Sequence, residues 1–293
     1  MFYIFVNTAF QALIIGFVYA ALALGYNMVY RASKAINLAE PELVLFTAYI
    51  AFISLAYYGV PIILACALSL AIGFGVGVAL ERLLARPLRG RPVAALMAAT
   101  LGAYYVLRGT SMIVSRGFEM GSLGIPEAYY SLGPIRASLS DFIAAGISLL
   151  VVACTILLHR FTRLGIAMRA VSEDAFGATA YGLPVKNLTM LSWGIAGAIS
   201  AAAALALAAK AQVAPTLDFY ALKALAASLL AGLDSIAGVV VGGLVLGFME
   251  QFGSLILDPI LPGLGSQLAF IVMLIVLLVK PYGLFGTERI ERV

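Results

Sequence analysis

Few residues in this chain could carry out acid–base, metal or nucleophilic chemistry. His159 is the one histidine among 293 residues and lies beside Arg160, so a site built from several histidine ligands is excluded. A catalytic site needs acid, base or metal-ligating groups gathered together, and the sequence offers no such cluster. The G-x-x-x-x-G-K-[ST] loop that cradles nucleotide phosphates is absent as well. We therefore expect no enzymatic activity and no metal, cofactor or ATP bound by this chain.

The composition indicates that most of the chain lies in lipid. Hydrophobic residues make up 63% of the sequence and charged residues 11%, against roughly 45–50% and 25% in soluble domains. In lipid, only helices and closed barrels satisfy the hydrogen bonds of the backbone. The uncharged runs here are continuous rather than alternating, which favours helices. The expected fold is all-α: one polytopic transmembrane bundle over residues 1–293.

Nine segments approach the roughly 20 apolar residues that a helix needs to cross a bilayer. The predicted spans are 7–30, two within 43–80 divided at Gly59-Val60-Pro61, then 93–115, 141–159, 187–209, 217–233, 236–257 and 264–280. Asp234 interrupts the interval 217–257, and the count falls to eight if that interval crosses only once. We therefore expect eight or nine spans, some of them short or broken.

The positive charges decide both the count and the orientation. With nine spans, one side receives Arg31, Lys34, Arg82, Arg86, Arg89, Arg91, Arg160, Arg163, Arg169, Lys186, Lys280, Arg289 and Arg292. The other side receives Arg108, Arg116, Arg136, Lys210 and Lys223. Cytoplasmic loops are enriched in lysine and arginine, so the first side is cytoplasmic, with the N-terminus outside. A single crossing over 217–257 would place the last three cations outside, which favours nine.

The long loop 160–186 is predicted to form one amphipathic helix, from Ile166 to Tyr181, capped by Gly182 and followed by Pro184. Its predicted apolar side consists of Met168, Val171, Ala175, Ala178 and Ala180. One interpretation is a helix lying flat on lipid. The other is a docking helix for a cytoplasmic partner. Small residues and the lack of lysine over 166–182 favour docking.

Polar residues within or beside the spans have simple structural interpretations. Helix capping or interhelical hydrogen bonding accounts for Asn27 and Asn37. Asp234 is expected to cap the following helix, with a gating charge as the alternative. Arg108 is expected to snorkel, with a place at a pathway mouth as the alternative, and Glu250 to be solvated. Glu40 is expected to pair with Lys34 or Arg31 at the cytoplasmic rim.

Four glycines follow Asp234 at the spacing that lets helices approach closely in lipid. They are Gly238, Gly242, Gly243 and Gly247. Close helix packing is the first interpretation. The alternative is that the break before them exposes backbone along a pathway.

Several motifs resemble the permease subunits of branched-chain amino acid ABC importers, of the LivH type. They are Gly25-Tyr26-Asn27-Met28-Val29-Tyr30 with Ile36-Asn37-Leu38-Ala39 and Glu42, Arg169-Ala170-x-x-Glu173-Asp174-x-x-x-Ala178-x-x-x-Gly182, Lys223 to Gly247, and Pro281-x-Gly283-Leu284-Phe285-Gly286. They occur in order over nearly the whole chain. The chain departs from the family at Glu40-Pro41, where the family usually has His or Gln and then Gly.

The resemblance implies a permease of the bacterial inner membrane that imports branched-chain or related hydrophobic amino acids. Its implied partners are two cytoplasmic ATPase subunits that use ATP, a homologous permease or a second copy, and an extracytoplasmic binding protein; no nucleic acid is implied. The ATPase-coupling residues would be Arg169, Ala170, Glu173, Asp174, Ala178 and Gly182. The pathway candidates are Asn27, Asn37, Glu42, Asp234 and Ser235. The alternatives are a secondary transporter of small solutes and a permease of this family for amides, urea or other small organic acids.

Overall fold

The computed structural model describes residues 1–115, 121–126 and 128–286. Within these residues the α-helices are α1 Phe2–Ser33, α2 Glu40–Ala56, α3 Ile62–Leu80, α4 Val93–Ser115, α5 Leu139–Phe161, α6 Arg163–Glu173, α7 Ala175–Ala180, α8 Val185–Lys210, α9 Leu217–Ala231, α10 Ile236–Leu257 and α11 Leu264–Val279. A π-helix, Glu81–Ala85, extends α3. Arg116, Arg289 and Arg292, which the charge count assigned to sides, lie outside the described residues.

Each of the nine predicted spans coincides with a helix, namely α1 to α5 and α8 to α11. Five of these helices are long and apolar enough to cross a membrane: α1, α3 with its π-helical extension, α5, α8 and α10. Three others, α2, α9 and α11, have 17, 15 and 16 residues, or about 23–26 Å at 1.5 Å per residue. The prediction of a polytopic helical bundle with some short spans is confirmed.

Helix α1 is the centre of the bundle. It packs against α10, α8, α5 and α9, and nearly every side chain from Ile14 to Val29 is buried. Helix α8 is the second inner helix and packs on α3, α1, α5 and α2.

Small residues let these helices approach closely. A Cβ atom added to Gly73 of α3 would lie 2.5 Å from the carbonyl oxygen of Gly197 on α8. On α10, a Cβ at Gly243 would meet the backbone of Ala20, and one at Gly247 would lie 2.5 Å from the Cα of Gly16. A Cβ at Gly242 would lie 2.6 Å from the oxygen of Ala227 on α9. Gly238 faces Phe285 instead.

The C-terminal motif closes the break between α9 and α10. The backbone N–H groups of Leu284 and Phe285 donate to the carbonyl oxygens of Leu230 and Ala231, at 2.9 and 2.8 Å. The last carbonyls of a helix have no partner within it. The segment after α11 therefore satisfies the end of α9.

A small β-hairpin lies between α4 and α5. Strands β1 Tyr129–Leu132 and β2 Ile135–Ser138 pair antiparallel, with Tyr129 opposite Ser138. Gly133 makes the turn at φ +62°. The sequence predicted only helices. Two four-residue strands are too short for hydropathy to reveal between two long apolar runs.

Candidate functional site

One end of the bundle gathers the cations that the sequence assigned to the cytoplasmic side. Arg31, Lys34, Arg89 and Arg91 line a cavity of about 320 Å³ together with Glu173. We call this the basic end. At the opposite end, Lys210 pairs with Asp141 at 2.6 Å. Lys210 therefore lies at the other end of the bundle from the four cations of the basic end.

The predicted single helix of the loop 160–186 is wrong, because two helices form there. Helix α6 ends at Glu173, and the Asp174 side chain accepts from the N–H groups of Phe176 and Gly177 at 2.9 and 3.0 Å. An aspartate that bonds these groups begins a new helix rather than continuing the old one. Gly182 then ends α7 with φ +78°. We call residues 163–182 the α6–α7 element.

The exposure of the α6–α7 element differs in part from the predicted amphipathic pattern. Met168, Val171 and Ala178 are buried as expected, whereas Ala175 and Ala180 are exposed. Phe176 is 87% exposed and Tyr181 is 90% exposed. Among the predicted coupling residues, Glu173, Asp174 and Gly182 are exposed, Arg169 and Ala170 are half-buried and Ala178 is buried. Sequence reasoning missed the two aromatic residues, whose only signal was their large apolar surface in a polar loop.

The α6–α7 element rests on the inner helices. Helix α6 packs against α5, α8 and α1, and α7 contacts α8. Gly165 leaves room for the backbone of His159, and Lys34 at the end of α1 donates to the hydroxyl of Ser172 at 3.4 Å. A displacement of the element would therefore reach α1 and α8 directly.

The break between α9 and α10 lies beside the end of α1. The Asn27 amide donates to the Leu233 carbonyl oxygen at 2.6 Å, and Lys34 pairs with Asp234 at 3.5 Å. Ser235, not Asp234, caps α10 by accepting from the Gly238 N–H at 3.0 Å. The expected capping role of Asp234 is wrong, because Ser235 stands three residues before the group that needs a partner.

Glu40 is buried and makes no pair with Lys34 or Arg31 in the described structure, which corrects the expectation. Its carboxylate accepts from the Asn37 amide at 2.8 Å and from the Ser200 hydroxyl. It packs against Gly25 of α1, eight residues before the end of that helix, or about 12 Å along it. The irregular segment 34–39 thus returns into the bundle, and α2 starts at depth rather than at the rim.

A cluster of three charges lies farther inside. The Arg108 Nη1 atom donates to Glu42 Oε1 at 2.6 Å and to Asp218 Oδ2 at 3.2 Å. Arg108 stands 15 residues into α4, about 22 Å from its start. We call these residues the Arg108 cluster. Arg108 therefore pairs with carboxylates on the helices of two other predicted spans rather than standing alone as a snorkelling side chain, and the sequence did not predict this cluster.

Another buried pair corrects the expectation for Glu250. Lys223 of α9 and Tyr19 of α1 both donate to its carboxylate, and the side chain is only 12% exposed. A carboxylate with two donors in an apolar surrounding needs no bulk water. Glu250 is thus part of the packing between α1, α9 and α10.

The five predicted pathway residues do not form one site. Asn27, Asp234 and Ser235 meet at the basic end, where α1 ends beside the α9–α10 break. Asn37 bonds Glu40, and Glu42 belongs to the Arg108 cluster. The structure thus separates them into three groups.

A helical bundle with charged groups at depth and an exposed element at one end defines a polytopic membrane protein built like a transporter. The chain belongs to the family whose model is described as branched-chain amino acid transport system / permease component, which matches residues 8–277. Members of this family are transport components rather than enzymes.

Curated relatives match the chain from end to end. The high-affinity branched-chain amino acid transport system permease protein BraD of Pseudomonas aeruginosa is 31% identical over 99% of both chains. The permease protein LivH of Escherichia coli K12 is 27% identical over 99% of this chain and 98% of its own. A probable LivH of Methanocaldococcus jannaschii is 29% identical over 91% and 88%.

Solved structures support the fold. An inward-facing putative metal-chelate type ABC transporter aligns with a TM-score of 0.53 and 13% identity, over 94% of this chain and 85% of its own. PsaBC from Streptococcus pneumoniae aligns with a TM-score of 0.50 and 15% identity, over 95% and 92%. At these identities the likeness concerns the fold alone.

Proposed function

We propose that this chain is the membrane-spanning permease subunit of an ATP-driven importer for branched-chain or related hydrophobic amino acids. The observation that carries the proposal is the end-to-end similarity to relatives named as permeases for these amino acids. The chain lies in the bacterial inner membrane, with its N-terminus outside and its C-terminus in the cytoplasm. Amides, urea or other small organic acids are the alternative cargo.

The energy comes from separate subunits, because the sequence has no phosphate-binding loop of its own. Two cytoplasmic ATPases bind ATP, a homologous permease or a second copy completes the membrane part, and an extracytoplasmic protein delivers the substrate. The α6–α7 element is the ATPase-docking surface. Exposed aromatic side chains are enriched where proteins bind each other most strongly, and Phe176 and Tyr181 have this character.

The coupling is mechanical. When ATP closes the two ATPases, the α6–α7 element moves with them and shifts the ends of α1 and α8, on which it rests. Helix α1 also holds the α9–α10 break, through Asn27 and through Lys34 at its end. Replacing Glu173 by Gln or Gly182 by Val is expected to lower ATP-driven uptake while the permease stays in the membrane. Unchanged uptake in both variants would count against this coupling route.

A second candidate function is a secondary transporter driven by an ion gradient. The Arg108 cluster supports it, because paired ionisable residues on the helices of predicted spans are typical of ion-coupled carriers. The two functions differ in their need for ATP and for partner subunits.

The test uses the tagged permease, co-expressed with its candidate ATPase, permease and binding-protein partners and reconstituted in proteoliposomes. We expect ATPases to co-purify and radiolabelled leucine to accumulate with Mg-ATP but not with Mg-ADP. Ionophores that collapse proton and sodium gradients should leave the uptake unchanged. Uptake without ATP that the ionophores abolish would establish the ion-driven carrier instead.

The proposed docking surface predicts the effect of losing its aromatic residues. Phe176→Ala and Tyr181→Ala together should lower the amount of co-purified ATPase by about tenfold, as expected when two interface anchors are lost. Tyr58→Ala removes an aromatic residue that is 76% exposed between α2 and α3 and serves as the matched control. Equal ATPase recovery with the wild type, the double variant and Tyr58→Ala would exclude this surface as the ATPase-docking site.

A further inference from the structure

We propose that the Arg108 cluster binds the charged head group, ammonium and carboxylate, of an amino acid substrate. The inference rests on the proposed function and adds a site to it. Glu42 has a fully buried side chain, Asp218 is 10% exposed and Arg108 is 27% exposed. The cluster thus has a buried acidic part and an accessible basic part.

Each carboxylate of the acidic part has one oxygen without a hydrogen-bond partner in the described structure. Two carboxylates share one guanidinium, so the ionised cluster carries one excess negative charge. Glu42 Oε2 and Asp218 Oδ1 are buried without any hydrogen-bond partner in the described structure. Buried polar atoms are nearly always paired, and an unpaired carboxylate oxygen in an apolar surrounding is costly. These two oxygens therefore require a cation or a hydrogen-bond donor.

The guanidinium of Arg108 has N–H donors that neither carboxylate uses. Both hydrogen bonds that Arg108 makes in the described structure use Nη1. A guanidinium has five N–H donors in a fixed fork that matches a carboxylate. The Nε and Nη2 groups can therefore receive the carboxylate of a ligand whose ammonium faces Glu42 and Asp218. A free α-amino acid carries these two opposite charges one carbon apart.

The surroundings fit an apolar side chain on that ligand. Tyr105 and Met112 lie within one turn of Arg108 on α4, and Phe219 and Leu222 flank Asp218 on α9; all four are exposed. Among the described residues, no group of three acidic, histidine or cysteine side chains could hold a metal ion. An ammonium therefore suits the oxygens better than a metal, which needs more ligands.

Access requires movement, because the two unpaired oxygens are closed off in this conformation. Helices α2 and α9 carry them in their first turns, next to the irregular segments that precede both helices. A shift of either helix start would open the site without breaking a long helix. The cluster then holds the substrate only in the open state.

The test measures equilibrium binding to the whole reconstituted transporter, without the binding protein. The probes are leucine, its deaminated analogue 4-methylpentanoate, and 3-methylbutylamine, which keeps the ammonium but lacks the carboxylate. We expect leucine to bind more tightly than either analogue. Glu42→Gln and Asp218→Asn should weaken leucine and the amine by about tenfold or more, the loss expected for one charge-assisted hydrogen bond. Binding of 4-methylpentanoate should not weaken.

Two controls separate recognition from structure. Glu250→Gln removes another buried, paired carboxylate and should leave leucine binding unchanged. Glu42→Asp keeps the charge and should retain most of the leucine binding. Size-exclusion profiles establish that each variant is folded. Unchanged leucine binding in Glu42→Gln and Asp218→Asn, or equal weakening of all three probes, would overturn the site. If wild-type proteoliposomes fail to import leucine with Mg-ATP, the proposed function itself fails.

Discussion

Gly243 of α10 lies against the backbone of Ala20 on α1, and this contact gives a prediction at the scale of one residue. A Cβ at Gly243 would meet the backbone nitrogen, Cα and Cβ of Ala20. A backbone cannot move aside as a flexible side chain can. Gly243→Ala should therefore destabilise the permease by about 1–3 kcal/mol, the usual cost of overpacking, with a lower midpoint of thermal unfolding in detergent.

Gly75 of α3 is the matched control for that substitution. It is also a helical glycine, but a Cβ there meets no atom within 4 Å. Alanine favours a helix over glycine by about 1 kcal/mol. Gly75→Ala should thus leave the midpoint unchanged or raise it, and an equal drop in both variants would argue against close packing as the cause.

At the residue scale, the glycines that allow close helix packing could be predicted from their spacing, whereas the partners of buried charged residues could not. The glycine positions on α10 could be predicted because close approach in lipid depends on a periodicity within one helix. The partners of Arg108 lie 66 and 110 residues away from it, and no local pattern links such positions. The sequence therefore named Glu42 as a pathway residue but missed Asp218.

At the scale of elements, the break between α6 and α7 can be tested through Asp174. Asp174→Ala removes the acceptor for the Phe176 and Gly177 N–H groups and should cost about 1 kcal/mol of local helix stability. The two helices would then be free to merge, which turns Phe176 and Tyr181 away from their present direction. We expect ATP-driven leucine uptake to fall several-fold.

Asp174→Asn provides the control, because asparagine caps helices about as well as aspartate. Uptake close to wild type in this variant, together with a loss in Asp174→Ala, would assign the effect to the helix start. A similar loss in both would assign it to the charge.

Most elements could be predicted because length and hydropathy mark a span wherever it lies in the sequence. How far inside the bundle α2 and α9 begin could not be predicted. Glu40 looked like a rim residue by its distance in sequence from Lys34, yet the segment 34–39 carries it inward to Ser200. Hydropathy measures how apolar a segment is, and it does not report the direction in which an irregular connection runs.

At the scale of the whole molecule, the separation of charges predicts the orientation in the membrane. Tyr181 is 90% exposed on the α6–α7 element, and Tyr129 is 74% exposed on the hairpin between α4 and α5. In a background lacking Cys66 and Cys154, a membrane-impermeant maleimide should label Tyr129→Cys in spheroplasts. It should label Tyr181→Cys only after the membrane is permeabilised.

The reverse labelling pattern would contradict the assignment of the α6–α7 element to the cytoplasm, and with it the coupling to ATPases. Labelling of both cysteines in sealed spheroplasts would indicate leaky membranes, which a cytoplasmic marker enzyme in the supernatant would reveal.

The closure of the α9 end by Leu284 and Phe285 bears on how the protein is made. The carbonyl oxygens of Leu230 and Ala231 accept hydrogen bonds from residues that the ribosome adds more than fifty positions later. The end of α9 therefore stays without these partners until the segment after α11 has been synthesised. A chain truncated before Gly283 would keep every described helix and lose the two donors that satisfy the end of α9.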